Sequence, residues 1–237
     1  MSDNNATVVL AHGAWADGSS WSKIIPLLQA KGLHVACAQN PLSSIADDVA
    51  ATNRIIDAQD GPVLLVGHSY GGAVITVAGD NPKVSGLVYV AAFAPDEGET
   101  LGGMAQPYGT TPGLGEVRPI ADGYVMLTAK GVSEDFAQDL SAEEKNNMAA
   151  TQAPTHGAIL ATKITKAAWH SKPNWFVIAE NDRMIAPEQE RVTAKRMNAK
   201  TLALPTSHVA MLAKPKEVAE FIIGAAASLE SSRTDGS

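Results

Sequence analysis

Four short stretches of this chain, residues 7–11, 63–66, 87–92 and 175–179, are apolar at nearly every consecutive position. Each has strand length rather than helix length. None alternates apolar with polar residues, as a strand with one wet face would. Consecutive burial is what a sheet covered by helices on both faces demands. Two weaker runs, 33–38 and 201–204, read as further strands.

Helical segments fall between the runs. Ser20 is placed to cap a helix reaching about Ala30, with Gly32 as its stop. Ser43 or Ser44 opens another, in which Ile45, Val49, Ile55 and Ile56 keep a helical period. Pro187 suits a first helical turn, and Glu188 and Glu190 suit the positive end of a helix. The last helix, about 215–229, carries Val218, Phe221 and Ile222 on one face. This alternation predicts an α/β chain with a mostly parallel, doubly wound sheet.

One stretch breaks the rhythm. Residues 96–169 hold no buried-strand run, and their first part is loosened by Gly98, Gly102, Gly103, Pro107, Gly109, Pro112, Gly113, Gly115 and Pro119. Segments 133–140, 142–150 and 157–163 read as short helices. A connection this long usually has a function, here a helical cap inserted over the carboxyl edge of the sheet. The expected division is a core of 1–95 and 170–230, a cap of 96–169 and a disordered tail of 231–237.

Composition narrows the class. The chain has 237 residues, 45% of them hydrophobic and 18% charged, which suits one domain with an insertion. A formal charge of -7 leaves no basic footprint for nucleic acid or an anionic membrane surface. The only cysteine, Cys37, sits among Val35, Ala36 and Ala38, which rules out an internal disulfide and predicts a buried strand thiol. The polar N-terminus lacks a signal-peptide pattern, and no apolar run reaches the roughly 18 residues that span a bilayer. The cytoplasm is the expected compartment.

After the 63–66 run comes Gly67-His68-Ser69-Tyr70-Gly71-Gly72, then helical 73–78. Gly-x-Ser-x-Gly between a strand and a helix describes a turn tight enough to thrust a hydroxyl out of the backbone. The bare five-residue pattern is weak; its strand and helix flanks carry the inference. Ser69 is therefore the candidate nucleophile, and a serine needs a base. Among six histidines, His34 starts a strand, His156 and His170 belong to the cap, and His68 should point away across the turn. His208 follows the last strand and precedes the last helix, on the edge where Ser69 emerges. A base needs an acid to orient it. Asp182, after 175–179, is preferred over Glu180, too near its strand, and Asp96, which starts the cap. For an oxyanion, the backbone N–H of Tyr70 is one donor and that of Ala14, in His12-Gly13-Ala14-Trp15, the other. His12 is expected to brace this loop by hydrogen bonds.

These motifs, with Trp21, residues 91–96, Asn181-Asp182-Arg183 and the run 207–212, fall in an order that resembles the α/β-hydrolase branch of plant methyl esterases and hydroxynitrile lyases. The chain is similar to bacterial esterase-like members of that branch from about residue 8 to 223, least in the cap. The resemblance implies a six-stranded, mostly parallel core and a Ser–His–Asp mechanism on Ser69, His208 and Asp182, with no metal or cofactor. The lyases carry lysine where this chain has Val209, threonine at the place of Gly13, and no histidine at the place of His68. Ester hydrolysis is thus favoured over cyanide release. Lactone hydrolysis, perhydrolysis, lyase chemistry or a non-catalytic receptor are the alternatives. The expected partner is a small ester, not nucleic acid or membrane, and the chain a monomer or homodimer. Met104, Tyr108, Tyr124, Met126 and Phe136 are candidate pocket residues.

Overall fold

In the computed structural model, which describes residues 6–234, the strands are β1 (Thr7–Ala11), β2 (Val35–Ala38), β3 (Val63–His68), β4 (Val84–Val90), β5 (Val117–Pro119), β6 (Tyr124–Leu127), β7 (Thr155–His156), β8 (Asn174–Ala179) and β9 (Lys200–Leu204). Six of them form one sheet in the order β2-β1-β3-β4-β8-β9, and every pairing in it is parallel. Side chains alternate across it. Val8, Leu10, Leu64, Val66, Val88 and Val90 face the helix Pro215–Thr234 and Trp21. Val9, Leu65, Leu87, Tyr89, Phe176 and Ile178 face the other way, against Ile56 and Ile75 of the helices Ile45–Asp57 and Tyr70–Ala78. Both faces are dry, so consecutive residues are apolar. Each large side chain buried this way contributes about 1.5–3 kcal/mol.

Several local expectations are met and several are corrected. Ser44 caps the helix Ile45–Asp57 by accepting from the Asp47 N–H. The helix expected over 20–30 is instead a 3-10 turn, Gly18–Trp21, capped by Asp17, followed by the short helix Ile25–Gln29. Pro26 explains the break, since it has no N–H to continue a helix entering from residue 22. Cys37 is only half-buried, because β2 is an edge strand. The final helix continues to Thr234, so residues 231–234 are helical rather than a loose tail, and 235–237 lie outside the described residues.

The segment between β4 and β8 is not wholly helical. It contains the antiparallel sheet β5-β6-β7. The three residues Ala121–Gly123 turn β5 into β6, the Ile120 N–H bonding the Tyr124 carbonyl across the turn, and Asp122 and Gly123 take the positive φ values of 59° and 80° that this reversal uses. Of the predicted helices, 142–150 is present as Ala142–Thr151. The other two shrink to a π turn at Val132–Phe136 and a 3-10 turn at Gly157–Leu160.

Candidate active site

Because the six-stranded sheet is parallel, the loops after β1, β3, β8 and β9 all leave its carboxyl edge, where α/β sheets present ligands. The loop after β3 is the tightest. Ser69 has φ 54° and ψ −123°, a backbone state that costs a non-glycine residue on the order of 1–3 kcal/mol. It survives because the turn is locked on both sides. A Cβ on Gly67 would lie 2.6 Å from the Gly71 carbonyl oxygen, and one on Gly71 would lie 2.6 Å from the oxygens of Ala11 and His12. The helix Tyr70–Ala78 starts at the next residue and turns its positive end toward the hydroxyl.

Three residues far apart in sequence meet here. Ser69 Oγ lies 2.7 Å from His208 Nε2, and His208 Nδ1 lies 2.5 Å from Asp182 Oδ2. All three are buried. The other Asp182 oxygen accepts the Met184 N–H at 2.6 Å and the Ile185 N–H at 2.9 Å, which locks the carboxylate plane. The imidazole donates from Nδ1 to the acid. Nε2 is left as an acceptor for the serine hydroxyl, the tautomer a general base needs. Ala14 and Tyr70 both line the same cavity, and no acceptor takes either backbone N–H among the described residues.

The rival acids serve elsewhere. Glu180 is exposed and 3.7 Å from Arg191, and Asp96 receives His170 Nε2 at 2.8 Å. Arg183 pairs with Asp135, not with its neighbour Asp182. His12 braces its loop as expected: Nδ1 donates to the Gly13 carbonyl and Nε2 accepts the Asn40 N–H at 3.0 Å. Burial lowers its pKa and keeps the ring neutral, which the second bond requires.

Three supporting residues escaped the sequence reading. His68 makes no hydrogen bond to the Ser69 hydroxyl; its Nε2 donates to the His208 carbonyl at 2.9 Å and its ring centroid is 4.7 Å from that of His208. Burial first, then His208, holds it well below the usual histidine range, so it is a neutral prop. Glu190 is fully buried against Asp182, and its Oε2 accepts the Ala179 N–H at 2.9 Å. Burial, and then the Asp182 charge, push its carboxyl well above the usual range. With both acids ionised Glu190 Oε1 has no partner; a proton on Glu190 turns the contact into a hydrogen bond to Asp182. On the opposite flank, buried Asp48 accepts from Tyr70 Oη at 2.6 Å and from the Leu42 N–H at 2.8 Å, pinning the residue after Ser69. Desolvation raises Asp48 to about 6, against the two bonds that lower it.

Ser69 opens on a cavity of about 310 Å³ lined by Phe93, Leu101, Leu114, Val117, Val125, Ile159, Leu160, Met184 and Ile185 among others. No Asp, Glu, Lys or Arg lines it; its polar side chains are those of Ser69, Tyr70, Thr155, His156 and the indole of Trp15. None of the five cap residues expected in the pocket is there. Strand alternation accounts for two of them: Val125 points in, so Tyr124 and Met126 point out. Met104 and Tyr108 line a separate surface groove, and Phe136 packs on His68 and His208. Trp15 also lines a second cavity of about 280 Å³ and is the residue common to both. Its indole N–H donates to the Val125 carbonyl and its backbone N–H to Thr155 Oγ1. Among the described residues, no helix is long and apolar enough to cross a membrane, and no group of three or more His, Cys, Asp or Glu side chains is placed to share a metal ion.

A parallel sheet with a serine elbow at its centre and histidine and carboxylate on later loops defines an α/β-hydrolase. The sequence model of the alpha/beta hydrolase family matches residues 8–221, and the chain belongs to that family. It is 36% identical to the carbendazim hydrolyzing esterase of Nocardioides sp. (strain SG-4G) over 111 residues, which make up 40% of this chain and 46% of that one, so the match spans about half of that relative. It is 24% identical to Methylesterase 1 of Arabidopsis thaliana over 90% of this chain and 91% of that one. Among solved structures, a pyrethroid hydrolase from Sphingobium faniae JZ-2 has the same fold, with a TM-score of 0.81 and 23% identity over 93% of this chain and 97% of that one.

Proposed function

We propose that this protein hydrolyses small, uncharged carboxylic esters through an acyl-enzyme on Ser69. The observation that carries the reading is the unbroken row of hydrogen bonds from Asp182 through His208 to the Ser69 hydroxyl beside an apolar cavity. As Ser69 Oγ bonds to the ester carbonyl carbon, its proton passes to His208 Nε2. The Ala14 and Tyr70 N–H groups receive the oxyanion. On collapse the bond to the alcohol oxygen breaks, and His208 returns the proton to that oxygen. Water then repeats the sequence, with His208 as base, and releases the acid. Asp182 keeps the ring oriented and stabilises the imidazolium throughout.

The cavity's size and lack of ionised side chains support a compact neutral substrate, in keeping with the esters that the relatives' names describe. Val209 is fully buried and apolar, so the position that holds a cation in the lyases holds none here. This favours ester hydrolysis within the shared fold. In this reading residues 96–169 roof the site, and the enzyme works in the cytoplasm as a monomer or homodimer on a small molecule.

The test uses a small aryl acetate. We expect a burst of phenol equal to the enzyme concentration, labelling of Ser69 by an organophosphonate, and a loss of up to about 10⁶ in kcat for Ser69→Ala. Near-normal turnover by that variant would overturn the proposal.

A further inference from the structure

The segment between β4 and β8 reaches past the cavity roof to the loops that carry Asp182 and His208. Buried Asp135 accepts from Arg183 Nε at 2.7 Å. Gln138 Nε2 donates to the Asn181 carbonyl at 2.7 Å, and Asp139 Oδ2 accepts the Ser207 N–H at 2.7 Å. Phe136 sets its ring edge-on to His208, centroids 5.1 Å apart. The residues on either side of Asp182, and the one before His208, are therefore all tied to one five-residue stretch.

The backbone there is built for the task. Ala137 N–H donates to the Val132 carbonyl at 3.0 Å, five residues back, a π turn of the kind concentrated at functional sites. Ala137 then leaves helical geometry, at φ −139° and ψ 38°, and sets Gln138 and Asp139 down on the two loops. The main sheet joins those loops last through the Asn181 N–H and the Thr206 carbonyl, at 3.0 Å. Asp182 and His208 lie beyond that bond, where their spacing depends on side-chain ties.

We infer that residues 135–139 are a clasp that holds the acid loop and the base loop at their working separation, so that a piece of the cap positions the triad. The inference rests on the triad reading above. It makes Asp135, Gln138 and Asp139 positioning residues: none borders the cavity, and each acts through Asp182 or His208. Misplacing a reacting group by about 1 Å can cost up to about 100-fold in rate. Loosening the clasp should therefore appear in kcat and leave KM nearly alone.

The experiment compares Gln138→Ala, Asp139→Ala and their combination with two references. Asp139→Asn keeps an oxygen to accept the Ser207 N–H. Ser141→Ala removes a side chain that bonds Glu144 and makes no hydrogen bond to residues 135–139, while the Lys145 bond to the Gln138 carbonyl is kept. We expect the double variant to lose about 10- to 100-fold in kcat, with KM within about threefold. The single variants should fall between it and the parent, Asp139→Asn should recover most of the loss at 139, and Ser141→Ala should keep its kcat. In a Ser69→Ala background, the low-field proton resonance of His208 Nδ1–H should shift or broaden when both clasp residues are removed. A double variant with parental kcat would overturn the clasp, as would a loss that Asn does not rescue or that Ser141→Ala reproduces. Ser69→Ala assayed alongside separates the two claims. If it turns over, the triad reading falls; if it is inert while the clasp variants are unaffected, only the clasp falls.

Discussion

Two buried aspartates flank the Ser69 elbow, and their partners give them different tasks. Asp182 accepts two backbone N–H groups and an imidazole that, in the mechanism proposed above, takes up positive charge during a turnover. Asp48 accepts one backbone N–H and a phenol, neither of which becomes a cation. With no cation among its partners, desolvation prevails and, with the Asp47 charge adding to it, lifts Asp48 to about 6. Burial of an acid near a nucleophile therefore does not define a catalytic acid. What defines it is a partner whose charge changes in step with the reaction.

The largest expected effect tests the Asp182 side. Asp182→Asn should lower kcat by about 10⁴, because an amide no longer enforces the tautomer that leaves Nε2 free. A kcat within tenfold of the parent would erase the difference between the two acids.

The Asp48 side should show itself in stability. A carboxyl whose folded pKa is raised contributes fully below its unfolded value, 3.8, and loses that contribution as pH rises through about 6. The parent protein should thus lose on the order of 2–3 kcal/mol from this group between pH 4 and pH 7. Asp48→Asn should lack that component, so the gap between the two proteins in urea unfolding should move in favour of the variant as pH rises. A gap independent of pH would show that Asp48 does not titrate there.

Glu190 sharpens the contrast with a smaller effect. Glu190→Ala leaves the Ala179 N–H without its acceptor and Asp182 without its neighbour; we expect about a tenfold fall in kcat, roughly 1.4 kcal/mol. Glu190→Gln is neutral and can make both contacts, so it should recover most of the loss in steady-state assays. An equal loss in both variants would mean that a proton on Glu190 is not what Asp182 needs.

The parts of this molecule that were readable in the sequence are those where one physical demand acts on consecutive residues. Strands buried on both faces must be apolar throughout, so 63–66 and 175–179 announced themselves, and a turn as tight as that at Ser69 excludes Cβ atoms at Gly67 and Gly71. The sheet β5-β6-β7 was hidden because strands of two to four residues carry no periodicity, though the Asp122-Gly123 pair marked its hairpin. Glu190 was read as a helix-end acid. Its place in the series 190, 193, 194 and 197, the buried face of the helix Pro187–Arg196 and its C-cap, was the overlooked signal. His68 and the clasp left no signal of that kind, since their contacts join loops that sequence spacing does not relate.

Trp15 has a consequence of an evolutionary sort. Its φ of 57° belongs to the left-handed region that glycine enters freely and an indole-bearing residue resists. The wall shared by two cavities therefore stands where the backbone itself leans toward having no side chain, held by bonds to Val125 and Thr155. A tryptophan codon is one nucleotide away from glycine. Trp15→Gly would remove the side chain that borders both cavities and relax the backbone at that position.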